Sequence, residues 1–508
     1  MKLLKYTVIV SAMSVATMSV TAMSAQAGSL GKLLGKADIE IPDNNCFWTG
    51  PYVKENPVTN IAFPDTGAKY WATNFSIPEG ASLDIYGRYM HNRYMSFNSY
   101  DITGENPTYA PGDAITDIDL NPIFRFAKNP YIEGNRRNKL FRGYKIKVLP
   151  GAPEASDPDN TLHSMGQYGE RATILLRSYV EDEDTGTTAG EYLPSPVVTL
   201  NDGTVITDIA EICQTLEVDS SIINPPLVPV DKYDQMAAFG HPYSLDATEE
   251  NPNTLTKAFN PSDDINCGWF GFCHPAPTQA TGYYANLDNQ YVTAVTTNAK
   301  PIEYPETALG LPAGTTPRGK VVVGFQKSPE LAVAVFKGKL PVTPKTLEGS
   351  KRAKAGEVRY WSFCTNEYMS QKVTDCLFDE QITVDEEGYY TIAVSWEEDR
   401  PENATAECGY NWLPASMQGD GYLDILEQEV ERGELDPSVL SLPNQLGKPR
   451  ENNPHQNIVI VRNMLPAADF EQAIQNVSSY TDTEAVMGEY AVQYHYESTI
   501  DFESRGCN

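Results

Sequence analysis

Arg93-Tyr94-Met95-Ser96-Phe97-Asn98 returns in the second half of the chain as Arg359-Tyr360-Trp361-Ser362-Phe363-Cys364. The flanks return with it, which a chance match of six residues would not produce. Pro64-Asp65-Thr66, Tyr70-Trp71-Ala72-Thr73 and Leu83 to Arg88 precede the first copy; Asn286-Leu287-Asp288, Tyr291-Val292-Thr293-Ala294 and Leu331 to Lys339 precede the second. Gly143 to Val148 and Ile174 to Arg177 follow the first copy, and Gly388 to Val394 and Ile458 to Arg462 follow the second. The order is kept, so the chain reads as two copies of one folding unit.

Successive side chains of a strand point to opposite faces. Arg93, Met95, Phe97, Ser99 and Asp101 therefore share one face, with Tyr94, Ser96, Asn98 and Tyr100 on the other. The second copy sets Arg359, Trp361, Phe363, Thr365 and Glu367 against Tyr360, Ser362, Cys364, Asn366 and Tyr368. The bulky face is expected in a core. The arginine and carboxylate at its ends then need partners or water, because unpaired buried charge is costly.

Turn clusters such as Pro78-Glu79-Gly80 and Asn201-Asp202-Gly203 punctuate short β-rich segments, and 36 Gly and 36 Pro leave little room for helical periodicity. The expectation is a mainly β protein: two related jelly-roll-like β-sandwich domains, an internal duplication, with a few short helices. Helices are expected over Asp420 to Arg432, over Ala468 to Val477, and around Ile209, Ile212 and Leu216. The first domain is placed at 28–222 and the second at 276–508, with a helical insertion near 417–455. Between them, 223–275 reads as a linker, proline-stiffened from Ile223 to Pro229, and a disulfide-containing excursion.

Lys2 and Lys5 precede an apolar stretch from Val8 to Met23 that ends at Ala25-Gln26-Ala27, the pattern of a signal peptide over 1–27. The reading is an exported protein, periplasmic or extracellular, with no transmembrane segment in the mature chain. All eight cysteines lie beyond the cut, and an even number in an exported chain favours disulfides. Cys267 with Cys273 and Cys364 with Cys376 are the local pairings expected; Cys46, Cys213, Cys408 and Cys507 cannot be paired from sequence. No C-x-x-C occurs, which argues against a thioredoxin-like pair, a c-type haem and most structural zinc sites, so neither metal nor cofactor is expected.

The formal charge of −30 repels nucleic acid and anionic lipid. The clusters Glu181 to Asp184 and Asp263 to Asn266 would attract a cation such as Ca2+, although neither has the spacing of a calcium loop.

The second half resembles exported bacterial proteins with paired domains of unknown function, the twelve-fifty-four and twelve-fourteen type. The likeness runs through Asn286 to Tyr291, Arg359 to Phe363, Asp385 to Val394, Asn411-Trp412-Leu413-Pro414-Ala415 and Ile458 to Arg462, and in the first half through Ile174 to Tyr179 and Leu193 to Pro196. It implies a jelly-roll-like β-sandwich and no established reaction. The chain departs from the pattern at Asp288-Asn289, where Asp-Thr is usual, and in its helical insertion.

No Gly-x-Ser-x-Gly turn is present for serine acyl transfer. His163-Ser164 and His241 to Ser244 put His near Ser in sequence, but catalytic groups meet in space, so adjacency carries little weight. Paired carboxylates for glycoside chemistry would come from Asp288, Glu367 or Asp101, each of which could equally bridge to an arginine of the fold. Arg359 and Arg462, with Trp412 and Tyr291, are the candidates for ligand binding. A guanidinium can grip an acidic ligand bidentately or tie the fold to its own acids; retention in both halves favours the second role. Two functions follow: non-catalytic binding of a small molecule, saccharide or surface partner by paired sandwiches, or an extracellular hydrolase or lyase acting in the cleft between the halves.

Overall fold

The protein, a computed structural model, is described over residues 46–102, 110–183, 185–186, 188–221, 230, 233–234, 281–285, 290–297, 303–304, 321–322, 332–347, 349–367, 369–444, 447, 449–452, 457–477 and 483–507, with backbone alone at 101, 110–111 and from 281 to 322. Cys46 to Asn508 forms one compact unit. The chain is mainly β.

In the first half the strands are β1 (Thr49–Tyr52), β2 (Ala68–Ser76), β3 (Ser82–Arg88), β4 (Asn92–Asp101), β5 (Ala110–Thr116), β6 (Gly143–Leu149), β7 (Thr161–His163), β8 (Arg171–Glu181), β9 (Ser195–Thr199) and β10 (Val205–Ile206), followed by helix α1 (Ile209–Thr215). They form two sheets, β1-β2-β8-β4-β5 and β10-β9-β3-β6-β7. Met95 and Phe97 of β4, Ile174 and Leu176 of β8, Leu83 and Ile85 of β3, and Ile146 and Val148 of β6 fill the space between them. Asp208 caps α1 by accepting from Glu211 N–H, and its Ile212 closes one end of this core.

The second half contributes β11 (Thr281–Ala285), β12 (Gln290–Thr297), β13 (Glu303–Tyr304), β14 (Val321–Val322), β15 (Val333–Lys339), β16 (Val358–Glu367), β17 (Val373–Phe378), β18 (Tyr389–Ser395), β19 (Asn411–Pro414), α2 (Tyr422–Glu431), β20 (Asn457–Pro466), α3 (Thr483–Met487), β21 (Gln493–Glu497) and α4 (Thr499–Glu503). Its sheets are β11-β12-β20-β16-β17 and β19-β18-β15-β21, beside the small pair β13-β14. Trp361 and Phe363 of β16, Phe336 of β15, Ile392 of β18 and Val459 and Val461 of β20 pack between the larger two. The order β2-β8-β4-β5 thus recurs as β12-β20-β16-β17, and so does the register: Ser96 lies opposite Arg177 on β8, and Ser362 opposite Arg462 on β20.

The second face of the repeat strand is covered as well. Tyr94 and Tyr100 of β4, with Tyr70 and Ala72 of β2 and Leu175 and Tyr179 of β8, do not turn to solvent. They meet Tyr360, Phe378 and Met464 of the other half in a separate cluster. The two long sheets therefore lie back to back. Both faces of β8 and β20 are covered, which is why Ala172 to Val180 and Asn457 to Met464 are buried at every position. Alternation identifies residues that share a face, but not what that face meets.

Helix α2 falls within the stretch expected to be helical, and α1 does likewise. Ala468 to Val477 is not a regular helix. Hydrogen bonds of the i to i−3 type from Phe470, Ala473 and Asn476, with a short 3-10 turn at Ile474–Asn476, press Ile474 against Met487 and Tyr490. Most of the 223–275 excursion lies outside the described residues. Among those described, no helix is long and apolar enough to cross a membrane. Cys364 and Cys376 are bonded as expected, at directly opposed positions of β16 and β17; Cys46 bonds Cys213 and Cys408 bonds Cys507. Cys267 and Cys273 lie outside the described residues.

Candidate functional site

Three arginines singled out in the sequence, Arg93, Arg359 and Arg462, reach the seam between the back-to-back sheets, and each meets a carboxylate of the fold there. Asp117 follows β5 and Asp379 follows β17. Each carboxylate folds back onto the repeat strand beside it: Asp117 Oδ2 accepts from Met95 N–H at 3.1 Å, and Asp379 Oδ2 from Trp361 N–H at 3.1 Å. Each then receives the arginine of the opposite half. Arg93 Nη1 donates to Asp379 Oδ2 at 2.5 Å, and its Nη2 to Glu380. Arg359 Nη1 lies 3.3 Å from both Asp117 oxygens and donates to the Arg93 carbonyl at 3.2 Å. The two repeats hold each other's arginine.

The surroundings of the two arginines differ. Arg93 and Asp379 are both buried, and Arg93 has a second acid in Glu380. Burial alone would raise the Glu380 carboxyl, but the N–H groups of Thr346 and Leu347 and the Arg93 charge bring it below the usual range. Arg359 keeps part of its side chain in solvent and has one acid. Burial pushes Asp117 up to about 6 in spite of Arg359 and the Met95 N–H.

Asp65, in the segment before β2, is the third seam carboxylate. Gly67 N–H at 2.8 Å, Tyr360 Oη at 2.8 Å and Ser362 Oγ at 2.5 Å donate to it, and Arg462 Nη1 stands 3.5 Å away. Arg462 also donates to the Phe63 carbonyl at 2.5 Å and to Cys364 Sγ at 3.2 Å. Tyr70 and Tyr179 close the cluster with hydroxyls 2.9 Å apart, and burial pushes Tyr70 up to about 12, so both remain neutral hydrogen-bonding groups. Arg177, the counterpart of Arg462, donates to Tyr100 Oη. Among the described residues, Asp65, Cys364 and Cys376 have metal-ligand proximity, but the two sulfurs are bonded to each other and offer no thiolate.

Other candidates are scattered. Glu367, at the end of β16, is buried and accepts from Ser370 Oγ at 2.5 Å and Ser416 Oγ at 2.8 Å; burial raises its carboxyl. Gly421, at φ 65°, lets the loop before α2 pass against it, since a Cβ there would stand 2.4 Å from Glu367 Oε2. Trp412 donates to Ser395 Oγ at 3.0 Å and carries the Arg400 guanidinium 4.3 Å above its ring. Tyr291 lies opposite Asn463 and Asp101 opposite Ala110, as backbone positions; Asp288 is outside the described residues.

His163 binds Asp113 at 3.0 Å through Nδ1 and Asp157 at 3.1 Å through Nε2, while Ser164 donates to the Gly166 carbonyl, so the two neighbours form no dyad. Glu181 pairs with Lys69 and Asp182 with Arg137, which commits two acids of the first acidic cluster to internal cations. His241 to Ser244 and the second acidic cluster are outside the described residues.

The sequence did not single out Asp65, Asp117, Asp379 or Glu380 as partners. Only Asp65 carried a signal, through its place in the repeated flank.

No protein-family model matches the chain, and no curated protein matches it. Among solved structures it is similar to an uncharacterized protein from Burkholderia cenocepacia, with 10% identity over 96% of this chain and 92% of that one and a TM-score of 0.38. It is also similar to a protein from Vibrio parahaemolyticus, with 10% identity over 93% and 96% of the two chains and a TM-score of 0.33. Likenesses at those scores carry no argument about fold or activity.

Proposed function

We propose that the chain is an exported, non-catalytic binding protein in which two jelly-roll-like sandwiches, related by internal duplication and of the paired domain-of-unknown-function type, act as one body. The observation that carries this reading is the reciprocal pairing of Arg93 with Asp379 and Glu380 and of Arg359 with Asp117. Arginines and acids that could have lined a catalytic cleft between the halves are spent in joining them. The signal-like segment over 1–27 and the disulfides support export. Native mass spectrometry of the exported protein tests the binding role: a bound mass that leaves only on denaturation supports it.

The hydrolase or lyase reading retains one supporting observation, the raised carboxyl of buried Glu367 between two serine hydroxyls. Incubation with mixed extracellular oligosaccharides separates the two. New reducing ends or unsaturated products that vanish in Glu367→Gln would overturn the binding reading.

A further inference from the structure

Residues 121–147 reverse the charge of the chain. They hold Arg125, Lys128, Arg136, Arg137, Lys139, Arg142, Lys145 and Lys147 against the single acid Glu133, in a protein of net charge −30. Arg137, Arg142 and Lys145 are committed to Asp182, Glu191 and Asp84. Among the described residues, no ion pair engages Arg125, Lys128, Arg136 or Lys139.

The same segment exposes several of its apolar side chains. Phe124 and Phe126 stack at 5.4 Å, and Phe141 meets Phe126 edge-on at 5.1 Å. Phe126 is 69% exposed, Phe141 48% and Leu140 85%. The tip is held firmly from below. Ile123 N–H donates to the Gly143 carbonyl, the Asn129 amide to the Leu120 carbonyl, and buried Arg142 to the carbonyls of Tyr89 and Met90. A braced loop that presents stacked phenylalanines and a leucine to water, interleaved with uncommitted cations, has the composition of an interfacial membrane anchor.

We propose that this loop docks the protein on an anionic lipid surface, with Phe126, Leu140 and Phe141 entering the headgroup boundary and Arg125, Lys128 and Lys139 meeting phosphate. The net charge predicts repulsion, but at about 0.1 M salt charges beyond roughly 10 Å are screened and the local cations decide. A bilayer suits protruding side chains that line no groove, and positive charge around them selects anionic headgroups. The proposal rests on this surface alone and is independent of the binding role above.

The test is sedimentation of the chain from Gly28 onward, which holds every described element, with vesicles of phosphatidylcholine alone or mixed with phosphatidylglycerol. The expected result is binding to the mixed vesicles and little to the neutral ones. Phe126→Ser with Leu140→Ser should abolish binding. Arg125→Ser, Lys128→Ser and Lys139→Ser together should weaken it roughly a hundredfold, at about fivefold per cation. Unchanged thermal melts show that these exposed substitutions leave the fold intact. The proposal is overturned if the parent chain fails to bind the mixed vesicles at about 0.1 M salt, binds neutral vesicles equally, or is matched by either variant. It is also overturned if the parent chain is a dimer without lipid and the Phe126/Leu140 variant a monomer, because the loop then receives a second copy.

Discussion

The two halves use the same residues at the same register and surround them differently. Arg93 reaches two carboxylates in a buried seam, whereas Arg359 reaches one, at longer distance and with part of its side chain exposed. Where β4 has Met95 and Asn98, β16 has Trp361 and a cysteine bonded across to β17. The first half gives the seam the Asp65 carboxylate; the second gives Tyr360, Ser362 and Arg462 to hold it. A repeated motif here does not mean a repeated site. Each copy completes its partner.

The disulfides put the strongest test on that comparison. Cys46–Cys213 closes 167 residues in the first half and Cys364–Cys376 only 12 in the second. On the chain-entropy account, Cys46→Ala with Cys213→Ala should cost about 5 kcal/mol, against about 3 kcal/mol for the short bridge. Denaturant midpoints of the two double variants check the order, and equal losses would contradict it.

Arg93→Ala comes next. It leaves buried Asp379 with only the more distant Lys345 ammonium at 3.9 Å, and removing one member of a buried pair costs about 3–5 kcal/mol. Urea unfolding measures the loss; a change near zero would mean that the seam is wetter than its burial indicates.

The third prediction concerns pH. Asp117 has a folded pKa near 6 against an ordinary value of 3.8, so its stabilising contribution is full below about pH 4 and is lost as the pH rises through 6. The stability difference between the parent chain and Asp117→Asn should shift by about 2–3 kcal/mol across that window. A flat difference from pH 4 to 7 would place the titration elsewhere. Arg359→Ala should have the smallest effect, about 1–2 kcal/mol at neutral pH, because Asp117 can take up a proton when its partner is gone. If Arg359→Ala proves as costly as Arg93→Ala, the asymmetry between the halves is wrong.

The recurring strands were legible because the repeat keeps its flanks: Leu83 to Arg88 and Val333 to Lys339 mark β3 and β15, and Ile174 to Arg177 and Ile458 to Arg462 mark β8 and β20. Cys364 with Cys376 was legible because the pairing is local. The seam was not. Arg93 finds its acids 286 and 287 residues away, and Asp65 meets Arg462 across 397, separations at which local pattern carries no information. The requirement for partners could be read from a charge at the end of a core face; their identity could not. The basic phenylalanine loop went unread for another reason: averaged over a chain of −30, a local excess of cations disappears.

The described disulfides all lie within one half or the other. Among the described residues, the halves are therefore joined covalently by the main chain alone, and everything else that joins them is contact. A chain cut between residues 221 and 281 would carry the apolar seam face of each half into solvent unless the pieces stayed together. Any hold between the two pieces would then rest on the seam contacts alone.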